Sequence, residues 1–345
     1  MEQSPSRERE LPLWFDRLTT NGYHLRRIPS NNSPTNHASE RMNTTTALPS
    51  WVRTVITKAC LGLRRKVPRY ASSIRIWESL FALPFAYMGM VLAAQGWPGW
   101  HAFIWINVAM FGARTLAMSG NRVINAKEDA LNPRTANRHL PQGLLQPVEI
   151  IGMMVVSAVI FLVAVYQLNT LALLLAPLAG AYVVIYSYAK HVTWACNFML
   201  GWALAIAPIG AWVGVTGSFD APPFLLAFAV AMWAGGFDII YGCTDYDFDK
   251  EQGINSVPRK FGIAGALWIV RGMHVLAAAA LLALGIWMEL SFFYYIGWAI
   301  AVALLIYENS LVKSNDLSRV GVAFFRVNSY ISVQLLVFTI LAVVF

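Results

Sequence analysis

The chain has 345 residues, 57% of them hydrophobic and 13% charged, and a formal net charge of +8. Apolar runs recur through most of its length, which excludes a water-soluble globular domain, since about 20 such residues make a membrane-spanning helix. Lys and Arg fall in the connections between those runs and not on one basic face, which excludes nucleic acid as a partner.

Residues 1–49 are polar and rich in Ser, Thr, Asn, Pro and Arg, and are expected to form a disordered cytoplasmic tail. Over 50–73, Trp51, Val52, Val55, Ile56, Cys60 and Leu63 alternate with Arg53, Lys58, Arg64 and Lys66 at near-helical spacing. That pattern predicts an amphipathic segment lying on the lipid bilayer. Residues 74–345 read as one all-α, polytopic membrane domain. Nine spans are expected, near 74–95, 101–121, 147–167, 169–188, 194–215, 223–243, 264–286, 291–307 and 325–345. Cations occupy alternate connections: Arg122, Lys127, Arg134 and Arg138, then Lys190, then Lys250, Arg259 and Lys260, then Lys313 and Arg319. The connections around 96–100, 167–170, 216–222 and 287–290 have none. This bias predicts a cytoplasmic N-terminus and an external C-terminus. Cys60, Cys196 and Cys243 are too scattered for a disulfide framework or a thiolate metal site.

Two acidic, Asn/Asp-rich stretches close apolar spans on the cytoplasmic side. The first runs from Asn121 through Asn125 to Asp129, and the second from Asp238 through Tyr241 and Asp245 to Asp249. Residues three or four apart share a helix face, so each stretch predicts a stripe of oxygen donors. Two facing stripes would make a cage of hard ligands, the setting in which Mg2+ holds a phosphorylated substrate. Asn121, Asn125, Asp129, Asp245 and Asp249 are the expected metal ligands. Arg122, Arg134, Arg138 and Lys190 supply cations suited to a diphosphate. Arg114, two turns deeper than Asn121, is expected to point into the cavity, because an unpaired cation at that depth is costly. Tyr186 and Lys190 lie four apart at the end of the fourth span and fit the same anion.

The Asn-x-x-x-Asn-x-x-x-Asp stretch, the Asp-x-x-Tyr-x-x-x-Asp-x-x-x-Asp stretch and the Tyr-x-x-x-Lys between them resemble the UbiA superfamily of intramembrane prenyltransferases. Phe81-Ala-Leu-Pro84-Phe, Asn132-Pro-Arg-Thr135, Gly236-Phe-Asp-Ile-Ile-Tyr241 and Ser256-Val-Pro258 are most similar to its 4-hydroxybenzoate polyprenyltransferase and menaquinone-pathway branch. The resemblance implies nine helices around a central cavity, in the inner membrane of a bacterium, with the active site facing the cytoplasm. It further implies Mg2+-dependent transfer of a polyprenyl group from its diphosphate to a small aromatic acceptor resembling 4-hydroxybenzoate, in quinone biosynthesis. Asp238 and Tyr241 are then the expected catalytic residues, Asp238 orienting the acceptor hydroxyl or taking a proton. Two positions depart from the family pattern: Asn125 stands where Asp is usual, and Trp77-Glu78 where close relatives carry Glu-His. Rival acceptors are a naphthoate, a purine-derived (futalosine-pathway) intermediate and a porphyrin. A transporter would place its charges nearer the bilayer midplane, and Asn125 is the argument for an inactive scaffold.

Overall fold

The computed structural model describes residues 66–74 and 79–345. The tail 1–49, most of the amphipathic segment and the positions Trp77 and Glu78 lie outside the described residues. The helices are α1 (66–73), α2 (Ser79–Ala94), α3 (Trp100–Ile124), α4 (Ala126–Leu131), α5 (Pro147–Tyr166), α6 (Thr170–Ile185) and α7 (Ala189–Val192). They continue as α8 (Cys196–Thr216), α9 (Pro222–Gly242), α10 (Tyr246–Gln252), α11 (Val257–Trp287), α12 (Phe292–Leu311) and α13 (Asn328–Val344). Among the described residues the only β feature is one isolated bridge, Lys313 to Asp316. Among the described residues, eight helical segments are long and apolar enough to span a bilayer. The first of the nine expected spans, 74–95, falls partly outside the described residues, and Leu83–Ala94 is the shorter apolar helix described there.

Local chemistry sets the helix starts. Asn169 Oδ1 accepts from the Ala172 backbone N–H at 2.8 Å and Ser256 Oγ from that of Arg259 at 3.3 Å, satisfying donors left over in a first turn. Proline occupies the opening positions of α5, α9 and α11, where its missing N–H costs nothing. α9 is the central strut: Leu226, Ala227, Ala229, Val230, Ala231, Trp233 and Ala234 are all buried. Small residues let its neighbours approach. A Cβ on Gly201 of α8 would lie 2.2 Å from the Ala231 carbonyl oxygen, and one on Gly89 of α2 would lie 2.4 Å from that of Pro208. Close backbone approach through small residues is the usual packing of helices in lipid.

Three of the long helices bend at one end of the bundle. α3 gives way to α4 at Asn125 (φ −102°, ψ 18°), α6 passes through a 3₁₀ turn at Tyr186–Tyr188 into α7, and α9 passes through another at Cys243–Asp245 into α10. Asn125, Tyr186 and Asp245 lie in these bends.

Candidate active site

The bends correct one expectation. Neither oxygen stripe runs along a single straight helix, because each motif breaks at or beside its middle residue. At Asn125 the side chain competes with the helix: Nδ2 donates back to the Asn121 carbonyl at 3.1 Å, the kind of local bond that turns a backbone. The two motifs still meet. Asn121, Asn125 and Asp129 line one wall of a cavity of about 300 Å³, and Asp238, Tyr241, Asp245 and Asp249 line another. Arg114, Arg122, Arg134, Arg138, Tyr186 and Lys190 border the same space. Every residue of the expected site is therefore at one cavity.

Within it the carboxylates are already engaged. Arg134 donates from Nε to Asp245 Oδ1 at 2.9 Å, from Nη2 to Oδ2 at 2.5 Å, and from Nη1 to the Tyr241 hydroxyl at 3.0 Å. Burial works against the Arg134 charge, but the Asp245 carboxylate outweighs it and holds the guanidinium pKa above its ordinary value. Asn132 Nδ2 adds a bond to Asp245 Oδ1 at 3.1 Å. Across the cavity Arg138 Nη1 donates to both oxygens of Asp129, at 2.7 and 2.6 Å. Arg122 Nη1 lies 3.7 Å from Asp129 Oδ2, while its Nε is taken by the Ser73 carbonyl at 2.9 Å. Asp249 Oδ2 accepts from Ser256 Oγ and Asp238 Oδ2 from Asn197 Nδ2, each at 2.8 Å.

Asn125 has a partner of its own. Its Oδ1 lies 3.1 Å from His191 Nε2, and His191 Nδ1 lies 3.8 Å from Glu128 Oε1. The amide thus joins α7 to the α3–α4 bend.

Among the described residues, no three His, Cys, Asp or Glu side chains form a metal cluster by themselves. The expected ready-made cage is corrected to two walls with arginines between them. The donor set nonetheless fits Mg2+: every candidate is a hard oxygen, and this ion commonly binds through one or two carboxylates plus substrate phosphates. Glu128 Oε2, buried and without a hydrogen-bond partner in the structure, adds a further oxygen at the same wall.

Sequence reasoning missed Asn132, His191, Asn197, Ser256 and Phe324 as parts of the site. Asn132 and Ser256 lie in motifs that were legible, and His191 adjoins Lys190. Nothing local marks Asn197 or Phe324, which act across 41 and 83 positions on Asp238 and Tyr241.

A second, apolar chamber of about 470 Å³ lies among α3, α5, α6 and α8. Arg114, Met118, Tyr186 and Leu204 border both spaces. Along α3 the chamber runs from Arg114 back to Ile106, roughly 12 Å at 1.5 Å per residue. The arrangement is a charged vestibule opening onto a greasy channel, suited to a molecule with an anionic head and a hydrocarbon tail.

Comparison with known proteins agrees in kind. The model of the UbiA prenyltransferase family matches residues 82–330. The 4-hydroxybenzoate octaprenyltransferase of Aliivibrio fischeri (strain MJ11) is 29% identical over 260 residues, covering 75% of this chain and 88% of that protein. Among solved structures, the apo structure of a UbiA homolog from Aeropyrum pernix K1 superposes with a TM-score of 0.71 at 30% identity, covering 77% of this chain and 98% of that one. A UbiA homolog from Archaeoglobus fulgidus bound to DMAPP and Mg2+ shares the fold (TM-score 0.59, 17% identity, 77% and 99% coverage).

Proposed function

The chain belongs to the UbiA prenyltransferase family and is a membrane-embedded prenyltransferase, and from that premise we propose that it transfers a polyprenyl group from its diphosphate to a 4-hydroxybenzoate-like acceptor. The observation that carries this reading is the junction of the two spaces at Arg114, Met118, Tyr186 and Leu204. A diphosphate in the charged vestibule would leave its first allylic carbon at that junction and its tail in the apolar chamber. The fold-sharing homolog bound to DMAPP and Mg2+ supports the same pairing of head and ion, and the octaprenyltransferase relatives support the acceptor class.

Asp129, Asp245 and Asp249, with Asn121 and Asn125 beside them, would hold Mg2+. When bound, the ion supplies a Lewis acid that neutralises charge growing on the departing diphosphate. Arg134 and Arg138 sit where their remaining N–H groups can meet phosphate oxygens, and guanidinium matches such oxygens bidentately. Lys190 adds a point charge at the same wall. Heterolysis of the C–O bond leaves an allylic cation, which the apolar lining keeps from water. The aromatic acceptor attacks through a ring carbon, forming the new C–C bond, and the ring then loses a proton. Asp238, held by Asn197 at 2.8 Å, lies deeper in α9 than Asp245 and is the base we assign to that proton. The distribution of Lys and Arg supports a cytoplasmic site.

The test is turnover by purified protein of geranyl or longer diphosphates with 4-hydroxybenzoate, naphthoate and a porphyrin, product identified by mass spectrometry. Prenylated 4-hydroxybenzoate as the main product supports the reading; preference for another acceptor overturns the branch while leaving the family intact.

A further inference from the structure

A second polar cluster lies away from the charged cavity, buried among α9, α12 and α13. Glu308 of α12 and Asn328 at the start of α13 are both 0% exposed. Asn328 Nδ2 donates to Glu308 Oε1 at 2.9 Å, and its Oδ1 accepts from Trp233 Nε1 at 2.6 Å. The same Nδ2 reaches the carbonyls of Ala323 and Phe324 at 3.1 and 3.2 Å. Those carbonyls belong to a π-helical turn, Val322–Val327, that leads into α13. Such a turn inserts a residue into the helical ladder, and its loosened backbone groups need other partners in lipid. Asn328 supplies them. A carboxyl wholly buried in an apolar helix bundle is expensive and marks a candidate functional group, and nothing in the transfer chemistry uses Glu308.

The π turn places two adjacent rings against one site residue. Phe324 stacks on Tyr241 with centroids 4.3 Å apart and planes at 28°, and Phe325 meets it edge-on at 6.2 Å. On its polar side Tyr241 receives Arg134, which clasps Asp245.

We propose that Glu308 and Asn328 are a positioning pair: by holding the π turn, they fix the Phe324–Tyr241 stack and, through it, Tyr241 and Arg134 at the diphosphate wall. The inference rests on the prenyl-transfer reading for its kinetic arm only. What Asn328 requires of Glu308 is one acceptor oxygen, and a charge there would be costly. Glutamine supplies that oxygen; leucine of similar size does not.

The experiment compares the parent with Glu308→Gln, Glu308→Leu, Phe324→Ala and the Glu308→Leu/Phe324→Ala double variant, all in detergent micelles. Glu308→Gln should keep kcat within about twofold. Glu308→Leu and Phe324→Ala should each lower it by roughly 10- to 100-fold with KM for the diphosphate little changed, the scale of a ~1 Å misplacement. The double variant should lose no more than the worse single one, since both act through one stack. Amide hydrogen exchange gives a readout independent of activity: Glu308→Leu should speed exchange over 241–245 but leave 121–129 alone. If Glu308→Leu does not fold, Asn328→Ser, which also breaks the pair and its bonds to the π turn, carries both readouts. Loss of activity in Glu308→Gln equal to that in Glu308→Leu, additive losses, or unchanged exchange over 241–245 would overturn the positioning role. A parent protein inactive on every allylic diphosphate would sink the prenyl-transfer reading instead, and the exchange data would still decide this one.

Discussion

Arg134 clasps Asp245 with two parallel hydrogen bonds, at 2.9 and 2.5 Å, across 111 positions of sequence. The pair joins the loop after the first acidic motif to the bend of the second. Its third donor holds the Tyr241 hydroxyl at 3.0 Å, and its guanidinium carbon stands 4.8 Å from the Tyr241 ring centre. One side chain therefore sets the orientation of a metal-ligand candidate and of a catalytic candidate.

Arg134→Lys should lower kcat by at least ~10-fold, and Arg134→Ala or Asp245→Ala by ~10²-fold or more, the range for losing one electrostatic contact to a developing charge. Lysine keeps the charge but cannot span both Asp245 oxygens and Tyr241 together. Steady-state kinetics with thermal melts separates the effect from misfolding; a lysine variant at parental rate would remove the clasp from the mechanism.

Divalent-ion dependence should be strict, with Mg2+ preferred. The oxygen-only donor set of Asp129, Asp245 and Asp249 is the reason. Undiminished turnover in excess chelator excludes a metal-assisted departure of diphosphate.

Asn125→Asp should lower the Mg2+ concentration giving half-maximal rate, since it adds a carboxylate to the wall that carries Asp129. The new carboxylate can still accept from His191, 3.1 Å from the present amide oxygen, but loses the Nδ2 bond to the Asn121 carbonyl, so a thermal melt accompanies the titration. An unchanged Mg2+ requirement with an altered acceptor KM assigns Asn125 to the acceptor pocket. A Mg2+ titration of both proteins decides.

Gly210 lines the apolar chamber, and a Cβ built on it meets no atom within 4 Å. Gly210→Phe should fill the chamber without disturbing the bundle. The ratio of kcat/KM for a long prenyl diphosphate to that for dimethylallyl diphosphate should then fall by roughly 10-fold or more, as expected when a hydrophobic pocket loses room. Equal loss for both substrates would place the tail elsewhere.

Topology is open to direct labelling. In a protein lacking Cys60, Cys196 and Cys243, Asn137→Cys and Gln252→Cys, at exposed loop and helix-end positions, should react with an impermeant thiol reagent only from the cytoplasmic face. Ser218→Cys, in the loop between α8 and α9, should react only from outside. The opposite pattern inverts the orientation and moves the site to the other surface.

What the sequence determined by itself is what depends on neighbours along the chain. Apolar runs mark spans because a bilayer demands internally satisfied backbone over a fixed thickness. The four-residue spacing of Asn121, Asn125 and Asp129 gathers them because that is nearly one helical turn, and across the bend the Asn125 N–H still donates to the Asn121 carbonyl and the Asp129 N–H to that of Asn125, at 3.1 and 2.9 Å. Tertiary structure decided the rest. The pairing of Asn132 with Asp245, of His191 with Asn125, and of Asn328 with Glu308 and Trp233 joins residues 113, 66, 20 and 95 positions apart. Each side chain has several polar partners possible in the extended chain. Which one it meets is settled only when packed helices exclude water and bring one donor within reach of one acceptor, at a depth where leaving either unpaired is costly.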